Sequence, residues 1–380
     1  MARIVYGLTA QGRGHTSRVS AMADLLAAAG HELLLVCGGD ALSTMREAGR
    51  DVVEVPVLRH QMHKNRIRLW RSLVSITRQR LATRAVIGAL TERVRAFRPD
   101  LVITDFETYS AQAAERLGLP IVCLDHQQIV TRTEVEVPRA LAWEAWVARR
   151  VVSRAQPRRA ALNIISSFFF PPLRPRLGAA TVLVPPILRD AVLRATPTRG
   201  DHVLVYHNAP EGLTGLVEAL ARVDRRFVLY NLEPPKGAAL PANLEFRPPS
   251  TRGFLRDLAA CEAVISTAGF SLISEAMYLG KPMLLLPNAG LFEQAINAHY
   301  FVRAGGGAAI FDRPLTPQDV RLFLSSGDRY RAALRGQARC GNARAHALIE
   351  RTLERLGAAP PLAATRPHKT QATSLIAATR

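Results

Sequence analysis

Short apolar runs recur along the chain, separated by stretches in which apolar residues return every three or four positions. In the first half the runs lie at Arg3–Leu8, Glu32–Cys37, Val52–Val55, Leu101–Thr104, Ile121–Leu124, Leu162–Ser166 and Thr181–Val184. Several of them, Leu-Val-Ile-Thr and Ile-Val-Cys-Leu among them, are continuously apolar rather than alternating. A strand of that kind is covered on both faces, which predicts a parallel sheet between two layers of helix. Helical spacing fills the gaps at His15–Ala29, Ala41–Glu47, within Arg68–Phe97 and at Thr108–Leu117, and Gly30 and Gly118 supply stop signals.

A proline-rich stretch from Pro171 to Gly200 interrupts this rhythm and holds the last of those strands. The alternation then restarts with runs at His202–Tyr206, Phe227–Asn231, Leu244–Arg247, Ala263–Ser266, Met283–Leu286 and Ala308–Phe311. Two successive βα arrays predict an α/β protein of two doubly wound domains facing each other across a cleft. The boundaries read from this pattern are 1–187 for the first domain, 188–200 for a linker and 201–356 for the second domain. Residues 357–380 lack periodicity and are expected to form a disordered tail.

Composition narrows the class. At 380 residues and 48% hydrophobic, the chain has material for full cores. Its four cysteines are scattered with no C-x-x-C pair, which argues against a zinc ribbon or a disulfide framework and for a reducing compartment. The start carries no signal-peptide pattern, and no run of eighteen apolar residues occurs, so a cytoplasmic protein is expected. The anomaly is charge, +19, from 50 basic residues of which only Lys64, Lys236, Lys281 and Lys369 are lysine. Between Arg59 and Arg98 stand eleven basic residues and one acid, Glu92, a balance of +10. Such a segment points at an anionic partner, phospholipid or nucleic acid, with a solvated helix face as the plain alternative.

Two constellations carry candidate chemistry. The first is Leu-Thr-Ala-Gln-Gly-Arg-Gly-His-Thr-Ser-Arg, Leu8 to Arg18. Gly12 and Gly14 let a ligand approach the backbone at a helix start, where free N–H groups favour anions. His15 falls in the first helical turn, where the macrodipole disfavours imidazolium, and a neutral imidazole is a competent general base. Arg18 shares its helix face and could meet a negatively charged substrate. The pattern is neither a Walker A loop nor the dinucleotide fingerprint, and a tightly packed β–α turn is its plain alternative.

The second constellation runs from Ser266 through Gly269, Phe270, Ser271 and Glu275, and then to Glu293, Gln294 and Asn297. A strand turns at Gly269 into a helix whose tip offers amides to phosphate. Glu275 lies one turn below Ser271 on the same face, a depth that suits a carboxylate accepting ribose hydroxyls. Glu293, Gln294 and Asn297 open the next helix with groups suited to a sugar ring. Read singly, Ser271 is an N-cap, Glu275 an exposed first-turn acid and Glu293-Gln294 a solvated face.

The stretch Ala263 to Ala298 resembles the donor-binding half of GT-B glycosyltransferases. The resemblance is to the family 28-like branch that contains the lipid II-forming N-acetylglucosaminyltransferase, and Gln11–Arg18 with Asp100–Glu107 extends it to the first domain. It implies two Rossmann-like domains, with Gly269, Phe270 and Ser271 cradling a donor diphosphate and Glu275 holding the ribose. It further implies that Glu293 and Gln294 contact the transferred sugar, that Asn297 supports their loop, and that Gly12, Gly14, His15 and Arg18 face the acceptor. The branch enzyme has two glutamines where this chain has Glu293-Gln294, so the transferred sugar is left open.

The expected reaction moves a hexose-type sugar from a UDP-type donor to an acceptor hydroxyl with inversion. No cofactor or metal is expected, since the chain lacks D-x-D and helix tips can stabilise the leaving diphosphate. His15 is the first candidate base, Asp105 the second or a partner orienting His15, and His126 the third; Asp105 as an ordinary helix N-cap is the alternative. By the same resemblance the segment 59–98, with Leu69, Trp70, Leu73 and Ile76 beside Arg68 and Arg71, is expected to touch the inner face of a membrane. The acceptor would then be lipid-linked or a cell-envelope glycan. Two rivals stand beside this reading. A nucleotide-sugar hydrolase shares the G-x-G-H-x-x-R signature of Gly12–Arg18, although water as acceptor needs no basic docking surface. A nucleic-acid binder would explain the charge, but the basic segment is poor in aromatics and no binding module is recognised, so no nucleic acid is expected.

Overall fold

The computed structural model describes residues 1–9, 13–56, 69–175, 177, 180–207, 213–234, 241–337 and 339–357, without the side chains of 13, 69–82, 213 and 214. Gly12, the tail from residue 358 and the side chains of the proposed membrane-facing cluster lie outside the described residues.

The strands form two sheets. The first contains β1 (Arg3–Leu8), β2 (Glu32–Cys37), β3 (Val52–Glu54), β4 (Leu101–Asp105), β5 (Ile121–Asp125), β6 (Leu162–Ser166) and β7 (Thr181–Val184), in the order β3-β2-β1-β4-β5-β6-β7. The second contains β8 (His202–Tyr206), β9 (Arg226–Tyr230), β10 (Leu244–Arg247), β11 (Ala263–Ser266), β12 (Met283–Leu285) and β13 (Gly307–Ala309), in the order β10-β9-β8-β11-β12-β13. Every pairing is parallel. In each sheet the winding reverses beside the first strand, between β1 and β4 and between β8 and β11. That reversal opens a crevice at the carboxyl ends of the strands.

Helices α1 (Arg13–Ala28), α2 (Asp40–Glu47), α3 (Leu69–Phe97), α4 (Thr108–Leu117), α5 (Ile129–Arg132) and α6 (Ala142–Ala155) accompany the first sheet. After the short α7 (Asp190–Leu193) come α8 (Leu213–Ala221), α9 (Thr251–Ala260), α10 (Phe270–Tyr278), α11 (Phe292–Arg303), α12 (Pro317–Ser325), α13 (Gly327–Leu334) and α14 (Asn342–Gly357). Alternate residues of β1 leave the sheet on opposite sides. Ile4, Tyr6 and Leu8 pack with Val19, Met22 and Leu26 of α1, while Val5 joins Leu90 and Val94 of α3. The second sheet repeats the arrangement, with Leu204 and Val264 against Ile273 and Met277 of α10, and Val203 and Val205 against Leu216 and Leu220 of α8. The continuously apolar runs are therefore buried on both faces.

One helix departs from the sequence boundaries. The range 201–356 includes α14, yet Ala345 and Ile349 of α14 are buried in the core of the first lobe with Met22 and Leu26. Amphipathic spacing marks which face of a helix is buried and carries no information about which sheet receives it. The chain thus crosses between the lobes twice, and the two crossings touch. Gly341 N–H donates to Pro186 O at 2.8 Å, while the Asn342 side chain accepts from Leu188 N–H at 2.9 Å and donates to Leu188 O at 2.7 Å. A Cβ at Gly341 would lie 2.0 Å from Pro185 O, so only glycine fits that crossing.

Candidate active site

A cleft of about 1260 Å³ lies between the carboxyl ends of the two sheets and draws its walls from both. From the first lobe come Gly14, His15, Phe106, Glu107 and Gln127, and from the second Ser266, Gly269, Ser271, Glu275 and Glu293.

The first-lobe wall is built on a buried carboxylate. Asp105 closes β4 with no exposure and takes no part in the cleft surface. Arg18 forks onto both its oxygens, Nε to Oδ2 at 2.8 Å and Nη2 to Oδ1 at 2.6 Å, and His15 Nδ1 reaches Oδ1 at 2.8 Å. Burial alone would raise the Asp105 carboxyl, but the charge of Arg18 and the contact with His15 outweigh it and hold it below the ordinary value. An ionised Asp105 requires the proton on His15 Nδ1, which leaves Nε2 as the accepting nitrogen toward the cleft. Gln127 Nε2 lies 3.1 Å from that atom.

This arrangement separates the candidates named from the sequence. Asp105 is not the cap of α4; that role falls to Glu107, whose carboxylate accepts from Tyr109 N–H at 2.7 Å and Ser110 N–H at 2.6 Å. The intervening Phe106 has φ of 54°, a left-handed turn by which two adjacent acids serve two sites. Arg18 is only 3% exposed and its guanidinium is committed to Asp105, so it braces the carboxylate rather than reaching for a charged substrate. His126 is fully buried, with Nδ1 2.8 Å from Ser166 O and Nε2 2.9 Å from Asn297 Oδ1. Burial pushes it below the ordinary histidine value, and it is fully enclosed, whereas His15 keeps part of its ring exposed and turns Nε2 to the cleft residue Gln127.

The second-lobe wall is the tip of α10. Gly269 caps that helix at φ −71°, a conformation open to any residue, and a Cβ there would meet nothing within 4 Å. The fold itself therefore gives no reason for glycine at this cleft-lining position. Ser266 Oγ is buried on the same wall with no hydrogen-bond partner among the described residues. The Phe270 ring, on the cleft wall, stacks on His126 at 3.8 Å and ties the two lobes together. Across the gap Gly14 abuts Ser271 so closely that a Cβ would stand 2.4 Å from Ser271 Oγ. The two helix tips read from the sequence thus meet in space.

Glu275 is buried rather than an exposed first-turn acid, and it is already paired. Arg189 Nε and Nη2 reach its two oxygens at 2.8 and 2.9 Å. Glu293 lines the cleft, whereas Gln294 accepts from Asn288 N–H at 2.8 Å and braces the loop before α11. Asn297 is fully buried, donating to Ala268 O at 3.2 Å and bonded to His126, so it secures the α10 turn. Sequence reasoning missed Gln127 and Arg189. Gln127 directly follows His126 at the end of β5, and that position was its signal. Arg189 lies in the proline-rich stretch, where no periodicity marks it.

No helix among the described residues is long and apolar enough to cross a membrane. Residues 2–326 match a family model described as glycosyl transferase family 1. The chain is 24% identical over 345 residues to a Methanosarcina acetivorans protein described as an uncharacterized glycosyltransferase, covering 84% of this chain and 88% of that one. Over 76 residues, 19% of each chain, it is 38% identical to the UDP-N-acetylglucosamine–N-acetylmuramyl-(pentapeptide) pyrophosphoryl-undecaprenol N-acetylglucosamine transferase of Clostridioides difficile. Among solved structures, the calicheamicin glycosyltransferase CalG4 aligns at TM-score 0.64 and 20% identity, over 93% of this chain and 99% of that one. Acinetobacter baumannii MurG aligns at TM-score 0.61 and 14% identity, over 92% and 100%.

Proposed function

The chain belongs to glycosyl transferase family 1 and is a glycosyltransferase of GT-B fold, and from that premise we propose that it moves a hexose-type sugar from UDP to an acceptor hydroxyl with inversion. The observation that carries this reading is the facing pair of walls, His15 backed by buried Asp105 on one side and the open tip of α10 on the other. The acceptor hydroxyl gives its proton to His15 Nε2 while its oxygen bonds to the anomeric carbon. The bond from that carbon to the diphosphate oxygen breaks, and the electron pair leaves with the diphosphate. Asp105 keeps the imidazole in the required tautomer and offsets the charge it gains. The amides near Gly269, Phe270 and Ser271 receive the leaving diphosphate in place of a metal ion, and the unpartnered Ser266 Oγ can join them.

Glu275 faces the ribose, Glu293 contacts the sugar, and Gln294 and Asn297 act through the loops they hold. Gly12 and Gly14 belong to the acceptor side, where Gly14 also lets its loop pack against Ser271. The acceptor is lipid-linked or a cell-envelope glycan, presented at the inner face of a membrane that the basic segment 59–98 touches.

Turnover of UDP-sugars with an acceptor series, with product configuration read by NMR, tests the reaction. An inverted glycoside supports it, and stoichiometric UDP release without any acceptor moves the chain to the hydrolases. His15→Ala is expected to lower kcat roughly 10² to 10⁴-fold; a rate near that of the unaltered protein places the base elsewhere.

A further inference from the structure

Glu275 and Arg189 form an ion pair on the cleft wall that joins the inter-lobe connection to the second lobe. Arg189 stands just before α7, in the chain that links the lobes, and Glu275 lies one turn into α10. Their side chains are only 17% and 8% exposed. The contact is a fork on a fork, Nε to one oxygen and Nη2 to the other. It occupies the edge of the carboxylate on which the two oxygens point the same way.

A vicinal diol needs that same edge. Its two hydroxyls are neighbours and donate side by side, as the two guanidinium nitrogens do. Once the edge is taken, each carboxylate oxygen keeps one further lone pair, and these two point away from each other. A single ribose can reach one of them and not both. Displacing Arg189 would leave a largely buried guanidinium without a counter-charge, which hydroxyl groups do not replace.

Resting on the donor-site reading above, we propose that Glu275 reads one ribose hydroxyl rather than two, and that the site therefore tolerates loss of the other one, 2′ or 3′, from the donor nucleotide. Arg189 is a positioning residue: it fixes which lone pairs of Glu275 remain available.

Titration calorimetry with UDP, 2′-deoxy-UDP and 3′-deoxy-UDP tests this on the full chain. At least one deoxy analogue is expected to bind within about threefold of UDP, because its missing hydroxyl has no partner. Losses of about tenfold or more for both analogues, the loss expected when a hydrogen bond to a charged group is removed, overturn the proposal. Arg189→Gln frees the edge, and in that variant both analogues are expected to fall about tenfold below UDP. A merely structural role for Arg189 would weaken all three ligands alike and leave their ratios unchanged, which also overturns the proposal. Failure of every nucleoside diphosphate to bind the unaltered protein is a different result: it sinks the donor site itself, and this inference with it.

Discussion

Asp105 and Asp125 end the adjacent strands β4 and β5, both fully or nearly fully buried, and only the first has a cation bonded to it. Asp125 instead accepts from Gln128, at 2.8 Å from the backbone N–H and 2.9 Å from the side-chain amide. Burial, and then the neighbouring charge of Asp105, push the Asp125 carboxyl up to about 6. The two acids consequently act on stability with opposite signs. The contribution of Asp105 is present above the ordinary carboxylate range and is lost as pH falls through its lowered value. That of Asp125 is complete below about pH 4 and is lost as pH rises through about 6. Asp125→Asn is expected to stabilise the protein at pH 8 by at most about 3 kcal/mol, with little gain at pH 4. Gln128 Oε1, buried without a partner among the described residues, is placed to accept from the new amide once its own group turns over. Thermal melts at the two pH values check this, and equal gains at both would refute it. At this scale the sequence was informative where a residue sat at a strand end or helix start, as Asp105 and His15 do. It was silent on their partners, because an ion pair between residues 87 or 86 positions apart leaves no local trace.

On the proposed donor-site reading, the tip of α10 presents groups that its own packing does not need. Ile273, Ala276 and Met277 sink into the second core and fix the helix on its sheet, while a side chain at Gly269, the N-cap, would touch nothing within 4 Å. Gly269→Ala is therefore expected to leave the melting temperature unchanged and to raise the donor KM roughly tenfold, the cost of one crowded anion contact. Unchanged donor kinetics in that variant would remove the tip from the donor site. Strands were the most legible elements, since apolar runs of four to six residues between turn signals leave little freedom in placement. The structure moves their ends by one or two residues, as at Arg226–Tyr230 and Gly307–Ala309. The α4 helix was legible at its end, where Gly118 at φ 68° closes the last turn, but its cap was not: Glu107, rather than Asp105, accepts from the first turn. The short α7 was not foreseen within the linker, because four residues are too few to show a period.

In the whole molecule, fold class followed from the two βα arrays, and their shared strand order confirms the doubling. What the chain's order could not show is the return of α14 to the first lobe. Asn342 is central to that return through its paired bonds with Leu188. Asn342→Ala is expected to cost about 1–3 kcal/mol by leaving those backbone groups unmet, seen as a lower melting temperature. An unchanged melt would show the junction to be held by packing alone. The wider consequence of the double passage is mechanical. A lone connecting segment would let the halves swing, slide and swivel independently, whereas two segments stitched side by side act as a door's paired knuckles. Such a joint narrows the ways in which His15 and the α10 tip can shift against each other.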